Sequence, residues 1–310
     1  MVATVIVGAI NWDTTLFIEK FPRKGEEVVV RRITQVPGGK AGNAAVAAAK
    51  LLGPHKVAII GALGNDWVAA EHVRIFKEEG VEVSGLKFND SVQSGQAHII
   101  VDETGENIIH TYFGANATIT PADLDSPTRR ELIESASIIA IMNPPLQTSL
   151  KLAKEAKRQS KIVAWDPGVK SRLGYHAVSG LLENVDYLLA NESEMRFLTA
   201  ANSRDVAARK LMRVNSKLKV VMKLGAKGSV IYTGKERIAS RGLNLKSVGS
   251  QVVNTVGCGD AFLGAFIAAL TEDKSDLEAL KWANLAAGLK AARPETRGSP
   301  DRATLEKFLG

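Results

Sequence analysis

Asn254 to Asp260 reads NTVGCGD and joins a short β-like run, Gln251 to Val253, to an apolar helical stretch, Ala261 to Leu270. A chain that turns through Gly257 and Gly259 into a helix leaves the first helical N–H groups without partners and aimed at one place, which favours a negative ligand. The glycines keep side chains out of the turn, and Asp260 sets a carboxylate beside the same donors. Donors for developing charge and a proton acceptor are the two parts of a phosphoryl-transfer site. The same seven residues also read as an ordinary helix start, an Asp cap preceded by turn glycines. Chemistry there needs support from the rest of the chain.

Other segments offer it. Asp13, in VGAINWD, lies just past the first strand, and a carboxylate there can accept two hydroxyl hydrogen bonds and grip a diol, or merely cap the next turn. The segment PGGKAGNAAVAAA, carrying Gly38, Gly39, Lys40, Gly42 and Asn43, is glycine-rich and opens an Ala-rich helix. Alone it indicates close helix packing on a sheet as readily as a ligand site. Asn191 and Glu194 in NESE start another helix, where a carboxylate complements the dipole.

The elements that must position these residues alternate along the chain. Strand-like runs fall at Thr4 to Ile10, Lys56 to Gly61, Ile138 to Met142, Lys161 to Trp165, Tyr187 to Ala190, Lys219 to Lys223 and Ser229 to Tyr232. Helical patterns fall at Ala41 to Leu52, Val68 to Glu79, Leu146 to Arg158 and Ser203 to Val214. Short, wholly apolar strands alternating with amphipathic helices predict a doubly wound, mainly parallel α/β sheet in three layers, with its ligand at the C-terminal strand ends. Two stretches break the rhythm: Glu26 to Val36, and Gly95 to Tyr112 with a turn near Thr104 and Gly105. Strands without crossover helices predict a small antiparallel β flap, a lid over the ligand edge formed by about residues 12–37 and 93–114 of one domain spanning 1–310.

Composition narrows the class further. At 310 residues and 45% hydrophobic content the chain can bury a large core. No apolar run is long enough to span a bilayer, so no membrane partner is expected. The N-terminus enters a strand without a basic leader, and the single Cys258 excludes an internal disulfide, both of which suit a cytoplasmic protein. The net charge of +7, 40 Lys+Arg against 33 Asp+Glu, is scattered, aromatics are only 5%, and no nucleic-acid-binding signature occurs. An anionic small substrate or solvated surface accounts for that excess, and no nucleic-acid partner is expected.

Taken together and in order, the motifs resemble the ribokinase (PfkB) family of sugar and nucleoside kinases over nearly the whole chain. Gly8, Asn11 and Asp13 match the family's opening, whose Asp hydrogen-bonds sugar hydroxyls, and Gly38, Gly39, Lys40, Gly42 and Asn43 match its first signature, which approaches the sugar. NTVGCGD looks like the second signature, which implies an anion hole at Gly257, Cys258 and Gly259 and a catalytic base in Asp260. Asn191 and Glu194 resemble the NxxE motif that orders Mg²⁺ and its waters, so Glu194 is the implied metal ligand, through water. Gly225 and Gly228 in KLGAKG fall where the family has TxGxxG under the nucleotide, with Lys223 at the Thr position. Asn284 resembles the Asn beside the purine, and Asn116 in FGANATIT resembles a ribokinase substrate motif. Asn254 and Thr255 open the second signature on its nucleotide side, but the family usually has Asp where Asn254 stands. A neutral amide orients a hydrogen bond and brings no charge to the metal or phosphate network.

The resemblance implies a ribokinase-like fold, with Mg²⁺ and ATP, or ADP, as cofactor and donor. The terminal phosphoryl group would pass to a hydroxyl of a sugar or ribosyl-containing acceptor. A nucleoside kinase or a ribose-1-phosphate kinase is the alternative, and Lys40, Arg172, Arg293 and Arg297 are cations that could hold an additional phosphate. A non-catalytic sugar sensor would keep Asp13 and Asn43 but has no use for Asp260, and a nicotinamide dehydrogenase is disfavoured because VGAINWD lacks GxGxxG. Apolar Val28 to Val30 suggest a homodimer paired through the flap.

Overall fold

Val5, Ile6 and Val7 are all completely buried, because their strand runs through the middle of a sheet covered on both faces. The computed structural model describes residues 1–309. In chain order its first half comprises β1 (Thr4–Gly8), β2 (Asn11–Ile18), β3 (Val30–Gly38), α1 (Lys40–Leu52), β4 (Val57–Gly64), α2 (Trp67–Glu78), β5 (Leu86–Asn89), β6 (Gly95–Val101), β7 (Asn107–Tyr112) and α3 (Pro127–Ser135). There follow β8 (Ile138–Met142), α4 (Leu146–Arg158), β9 (Ile162–Asp166), two single turns α5 (Gly174–Ala177) and α6 (Ser179–Leu182), β10 (Tyr187–Asn191), α7 (Glu192–Thr199) and α8 (Arg204–Met212). The chain ends with β11 (Lys219–Lys223), β12 (Ser229–Tyr232), β13 (Arg237–Ser240), α9 (Cys258–Thr271), α10 (Asp276–Ala291) and α11 (Arg302–Glu306).

Nine strands form the main sheet in the order β13-β12-β11-β10-β9-β8-β1-β4-β5. It is parallel from β5 to β11, and β12 and β13 continue it antiparallel. Alternate side chains feed two hydrophobic layers. Ile6 and Ile59 point into one with Phe262, Phe266 and the alanines of α1, and Val5, Val7 and Ile60 into the other with Leu152, Leu188 and Leu211. The α/β class and the predominantly parallel sheet expected from the sequence are as found.

Four strands, β3-β2-β6-β7, form the second, small sheet. Its two pairs, β2 with β3 and β6 with β7, are antiparallel as expected, and the seam between them, β2 with β6, is parallel. Sequence patterning is corrected at three places. Thr4 to Ile10 is not one strand: β1 ends at Gly8, and β2 restarts at Asn11 in the small sheet. Glu26 to Val29 stay outside β3, because β2 ends at Ile18 opposite Val30 and leaves them no partner strand. Gln251 to Val253 form no strand either; the Val253 and Asn254 N–H groups both donate to the Ala291 carbonyl at the end of α10.

Candidate active site

Parallel strand ends deliver the polar residues. From β1 the chain winds outward to β4 and β5, then returns through β8 to fill the other side, so the order reverses between β1 and β8. A crevice at such a reversal is where open α/β sheets bind ligands. Asn11 and Asp13 lie just beyond β1, Asp166 closes β9, Asn191 closes β10 and Lys223 closes β11. Asp260 sits in the first turn of α9, whose N-terminus faces the same edge.

One group of side chains forms a connected chain of hydrogen bonds. Asn43, in the first turn of α1, donates from Nδ2 to Asp260 Oδ2 at 2.8 Å. Its Oδ1 accepts from Arg297 Nε at 3.1 Å. Arg297 also donates through Nη2 to the Gly38 carbonyl at 3.2 Å and to His72 Nδ1 at 3.3 Å. Because a guanidinium only donates, His72 Nδ1 must accept, and its Nε2 carries the hydrogen given to the Asn11 carbonyl at 3.0 Å. Burial and the adjacent Arg297 pull the imidazole down to about 3, which keeps it neutral. Five residues, Asn11, Gly38, Asn43, His72 and Arg297, are thereby linked behind two carboxylates, Asp260, which Asn43 holds, and Asp13, which packs on Gly38.

Those carboxylates keep oxygens in hand. Asp13 accepts no hydrogen bond among the described residues, and Asp260 Oδ1 accepts none either, although both residues are buried. Burial first, then the charge of Asp260, raises Asp13 to about 7, against the opposing pull of Arg297. Burial also raises Asp260, with Lys40 and the Asn43 hydrogen bond holding it back. Gly38 explains the close fit: a Cβ there would lie 2.1 Å from Asp13 Oδ2. Gly39 caps α1, and Asn43 follows one turn later. Asn116, expected to face substrate, instead spends its amide on the frame. It accepts from the Ile10 N–H, donates to the Ile10 carbonyl, and donates to Asn11 Oδ1 at 2.8 Å, so it positions Asn11 and both its N–H hydrogens are used within the frame.

The other side of the crevice is positively charged and more open. Gly257 is the N-cap of α9 with φ 84°, a left-handed conformation, and a Cβ on it would meet the Thr296 carbonyl at 2.3 Å. Among the described residues the Gly257 and Gly259 N–H groups have no partner. The Cys258 N–H is used, donating to the Thr255 carbonyl at 3.2 Å, so the expected trio of amide donors is a pair in this structure. Lys223 Nζ stands 3.8 Å from where a Cβ of Gly259 would be, beside those amides. It pairs with Asp166 at 2.7 Å, and Lys40 pairs with the other Asp166 oxygen at 3.1 Å. Burial would raise Asp166, but Lys223 and Lys40 outweigh it and hold the carboxyl below its ordinary range.

Further expected residues line the outer part. Asn191 and Glu194 form a reciprocal capping box at the start of α7, with Glu194 Oε2 accepting from the Asn191 N–H at 2.8 Å and Oε1 lying 3.9 Å from Lys40 Nζ. Asn254 folds back on its own loop. Its Oδ1 accepts from the Val256 N–H at 2.9 Å and its Nδ2 donates to the Pro294 carbonyl at 2.7 Å. Gly225 is exposed, Gly228 packs against the end of β13, and Asn284 donates to the Ser240 carbonyl there at 3.1 Å. Of the arginines suggested for a second phosphate, Arg172 is exposed over the Phe197 ring and Arg293 donates to the Gly298 and Ser299 carbonyls. Both are engaged away from the carboxylates.

The residues suit Mg²⁺ bound through water. Among the described residues no three His, Cys, Asp or Glu cluster as a direct cage, while Glu194 offers Oε1, held only by a long ion pair, on the positively charged side. A cation that keeps most of its waters and takes its remaining ligands from phosphates needs no more than one such carboxylate.

Comparison with known proteins decides the family. Residues 2–302 match the pfkB family carbohydrate kinase. The chain belongs to the pfkB family. Among its relatives, an ATP-dependent ribose-1-phosphate kinase of Halopiger xanaduensis is 28% identical over 309 residues, covering 100% of this chain and 98% of the relative. Ribokinase of Arabidopsis thaliana is 30% identical over 321 residues, covering 98% of this chain and 80% of the relative. In solved structures, Arabidopsis thaliana ribokinase complexed with ribose and ATP superposes with a TM-score of 0.88 at 27% identity, covering 100% of this chain and 99% of that one. Thermotoga maritima ribokinase gives 0.85 at 29% identity, with the same coverage. The ribokinase-like fold expected from the motifs is established by this likeness, and the chain is a sugar or nucleoside kinase, a phosphotransferase with an alcohol acceptor.

Two members of this pfkB site were not singled out from the sequence. Asp166 had a signal: a lone carboxylate closing an apolar parallel strand, just before Pro167. His72 had none, since a His on the buried face of an amphipathic helix is ordinary core. Arg297 was singled out as a possible phosphate ligand, and the structure places it behind the carboxylates as their brace.

Proposed function

We propose that the chain phosphorylates a hydroxyl of a ribosyl-containing acceptor with ATP, and that Asp260 is the base. The observation that carries this reading is Asp260, a buried residue whose Oδ2 is held by Asn43 while its Oδ1 accepts no hydrogen bond, one residue past the unpartnered Gly259 N–H. The acceptor lies over Asp13 and Asn43, with Asp13 accepting hydroxyl hydrogen bonds. Its reacting hydroxyl gives its proton to Asp260 Oδ1 as the oxygen attacks the terminal phosphorus, and the bond to the bridging oxygen breaks to release ADP. Burial strengthens Asp260 as a proton acceptor, and Asn43 holds its other oxygen still. The Gly257 and Gly259 amides and the Lys223 ammonium receive charge on the phosphoryl oxygens, while Lys40 bridges Asp166 towards Glu194. When bound through water at Glu194, Mg²⁺ neutralises phosphate charge. Asn191, Gly225, Gly228, Asn254, Thr255 and Asn284 line the nucleotide side.

The four-stranded sheet serves as the lid, carrying Asp13 to the acceptor and excluding water from the transferred group. Val30, Ile33, Ile108 and Ile109 are exposed on it, and a second copy of the chain covers them in a homodimer. No helix is long and apolar enough to cross a membrane among the described residues, and the free Cys258 suits the reducing cytoplasm.

Acceptor and donor are supported by the relatives, which include ribokinases and a ribose-1-phosphate kinase named as ATP-dependent. A panel of ribose, other pentoses, hexoses, nucleosides and ribose 1-phosphate, each with ATP or ADP, tests the reading by product phosphate. Turnover of a ribosyl acceptor with ATP supports it; turnover confined to hexoses, or to ADP, overturns it.

A further inference from the structure

Lys290 is completely buried, and it belongs to no part of the mechanism above. It lies in the last turn of α10, yet its ammonium meets no carboxylate within ion-pair reach among the described residues. Its partners are main-chain carbonyls: Nζ donates to Asn254 O at 2.8 Å and to Arg293 O at 3.5 Å. A methionine or leucine would fill the same space without the cost of desolvating a charge, so the charge has to be explained by what it holds.

What it holds is the underside of the anion-hole loop. The segment from Lys290 to Thr296 is the bed on which that loop rests. Ala291 O accepts from the Val253 and Asn254 N–H groups at 2.8 and 3.1 Å, Pro294 O accepts from Asn254 Nδ2, and Thr296 O packs under Gly257. Every one of those links is neutral. The Lys290 ammonium is the charged one, drawing the Asn254 carbonyl down and lying close enough to Cys258, the middle residue of the turn, to act on its thiol. Asn254 completes the logic. Its amide brings no charge where the family usually has a carboxylate, so the ammonium stays with carbonyl oxygens, and the nearest acid acting on it, Glu295, does so from beyond ion-pair reach. The positive field of the ammonium lies behind the amides that receive negative charge.

We infer that Lys290 is a positioning residue for phosphoryl transfer, a covalently tethered cation that fixes the Asn254 to Asp260 loop in its charge-accepting shape. This rests on reading Gly257 to Asp260 as the phosphoryl pocket. An ammonium held only by carbonyls can be replaced by a free one when its stem is cut away, and that replacement separates a charge-dependent role from simple packing.

The experiment compares the parent, Lys290→Met and Lys290→Ala in choline chloride and in ammonium chloride, measuring kcat, acceptor KM and thermal unfolding. Both variants are expected to lose about a hundredfold in kcat in choline, with acceptor KM within about twofold of the parent. Ammonium is expected to restore Lys290→Ala about tenfold and raise its melting temperature, while leaving Lys290→Met and the parent unchanged. A Lys290→Met enzyme with parental kcat overturns the inference, as does a Lys290→Ala protein whose kcat and melting temperature are indifferent to ammonium. If Lys290→Ala is too unstable for assay, its melting temperature in the two salts decides alone. A parent that turns over no acceptor breaks the kinase reading instead, and the melting comparison still judges Lys290.

Discussion

On the acceptor side, the bonds that hold Asn116 to Ile10, Asn43 to Asp260 and Arg297 to Asn43 join residues 106, 217 and 254 positions apart. On the donor side, Asn191 and Glu194 are three apart and Asn254 and Val256 two apart, and Val252, Val253 and Val256 are more than half exposed. The first wall exists only once the whole chain has folded, and Asp260 waits in a braced frame to which the lid brings Asp13. The second combines local turns with a few longer ties, Lys223 to Asp166 and Asn254 to Pro294 and Lys290, and its valines stay open to solvent. On the proposed reading the Asp260 part of acceptor recognition is therefore set before binding, whereas the nucleotide meets a surface with slack left to take up. Catalytic precision should be lost by disturbing the first wall or the buried supports of the anion-hole loop, and hardly at all by trimming the exposed side chains of the second.

The largest expected effect lies where the walls meet. Asp260→Asn should lower kcat by about two powers of ten or more, with nucleotide affinity by calorimetry within about twofold. Arg297→Met comes next. It leaves Asn43 Oδ1 and the Gly38 carbonyl without their donor and Asp13 without its nearest opposing charge, so urea unfolding should show a loss of about 2 kcal/mol, together with a raised acceptor KM.

Asp13 gives a pH signature. Its native value of about 7 lies above the ordinary 3.8, so the folded state holds a proton that the unfolded chain has released between those limits, and stability falls as pH rises through that window. Asp13→Asn should melt higher than the parent at pH 8 and equal to it below pH 4 by about a few degrees at most. In the parent, kcat/KM for the acceptor should fall as pH drops below about 7, because the protonated acid accepts fewer hydroxyl hydrogen bonds. The smallest effect belongs to the open wall: Val253→Ser, at an exposed position, should change stability by less than about 0.5 kcal/mol and kcat hardly at all.

This contrast also explains how much could be read from the amino acids. Short apolar strands alternating with helices displayed the main sheet, because burial on both faces leaves a continuous hydrophobic run such as Ile138 to Met142. The glycine turns at Gly38 and Gly257 were visible for the same reason, since close backbone approach admits no other residue. The antiparallel end of the sheet, β12 and β13, and the parallel seam of the flap were not, because pairing direction depends on how segments meet in space. Asn116 reads as a ligand and also braces Asn11, and His72 reads as core and acts as a link between Arg297 and Asn11. Residue type and local spacing cannot distinguish those roles; only the long-range partner does. Gln251 to Val253 shows the converse error, a β-like pattern with no neighbouring strand to accept it.

The most direct test of the account is the position of the reacting hydroxyl in a ternary complex with the acceptor from the panel and a non-hydrolysable ATP analogue. The account predicts that hydroxyl within about 3.2 Å of Asp260 Oδ1, with terminal phosphate oxygens at similar distance from the Gly257 and Gly259 nitrogens. An acceptor whose hydroxyls all lie beyond hydrogen-bond reach of Asp260, or a phosphate bound away from those amides, would contradict it.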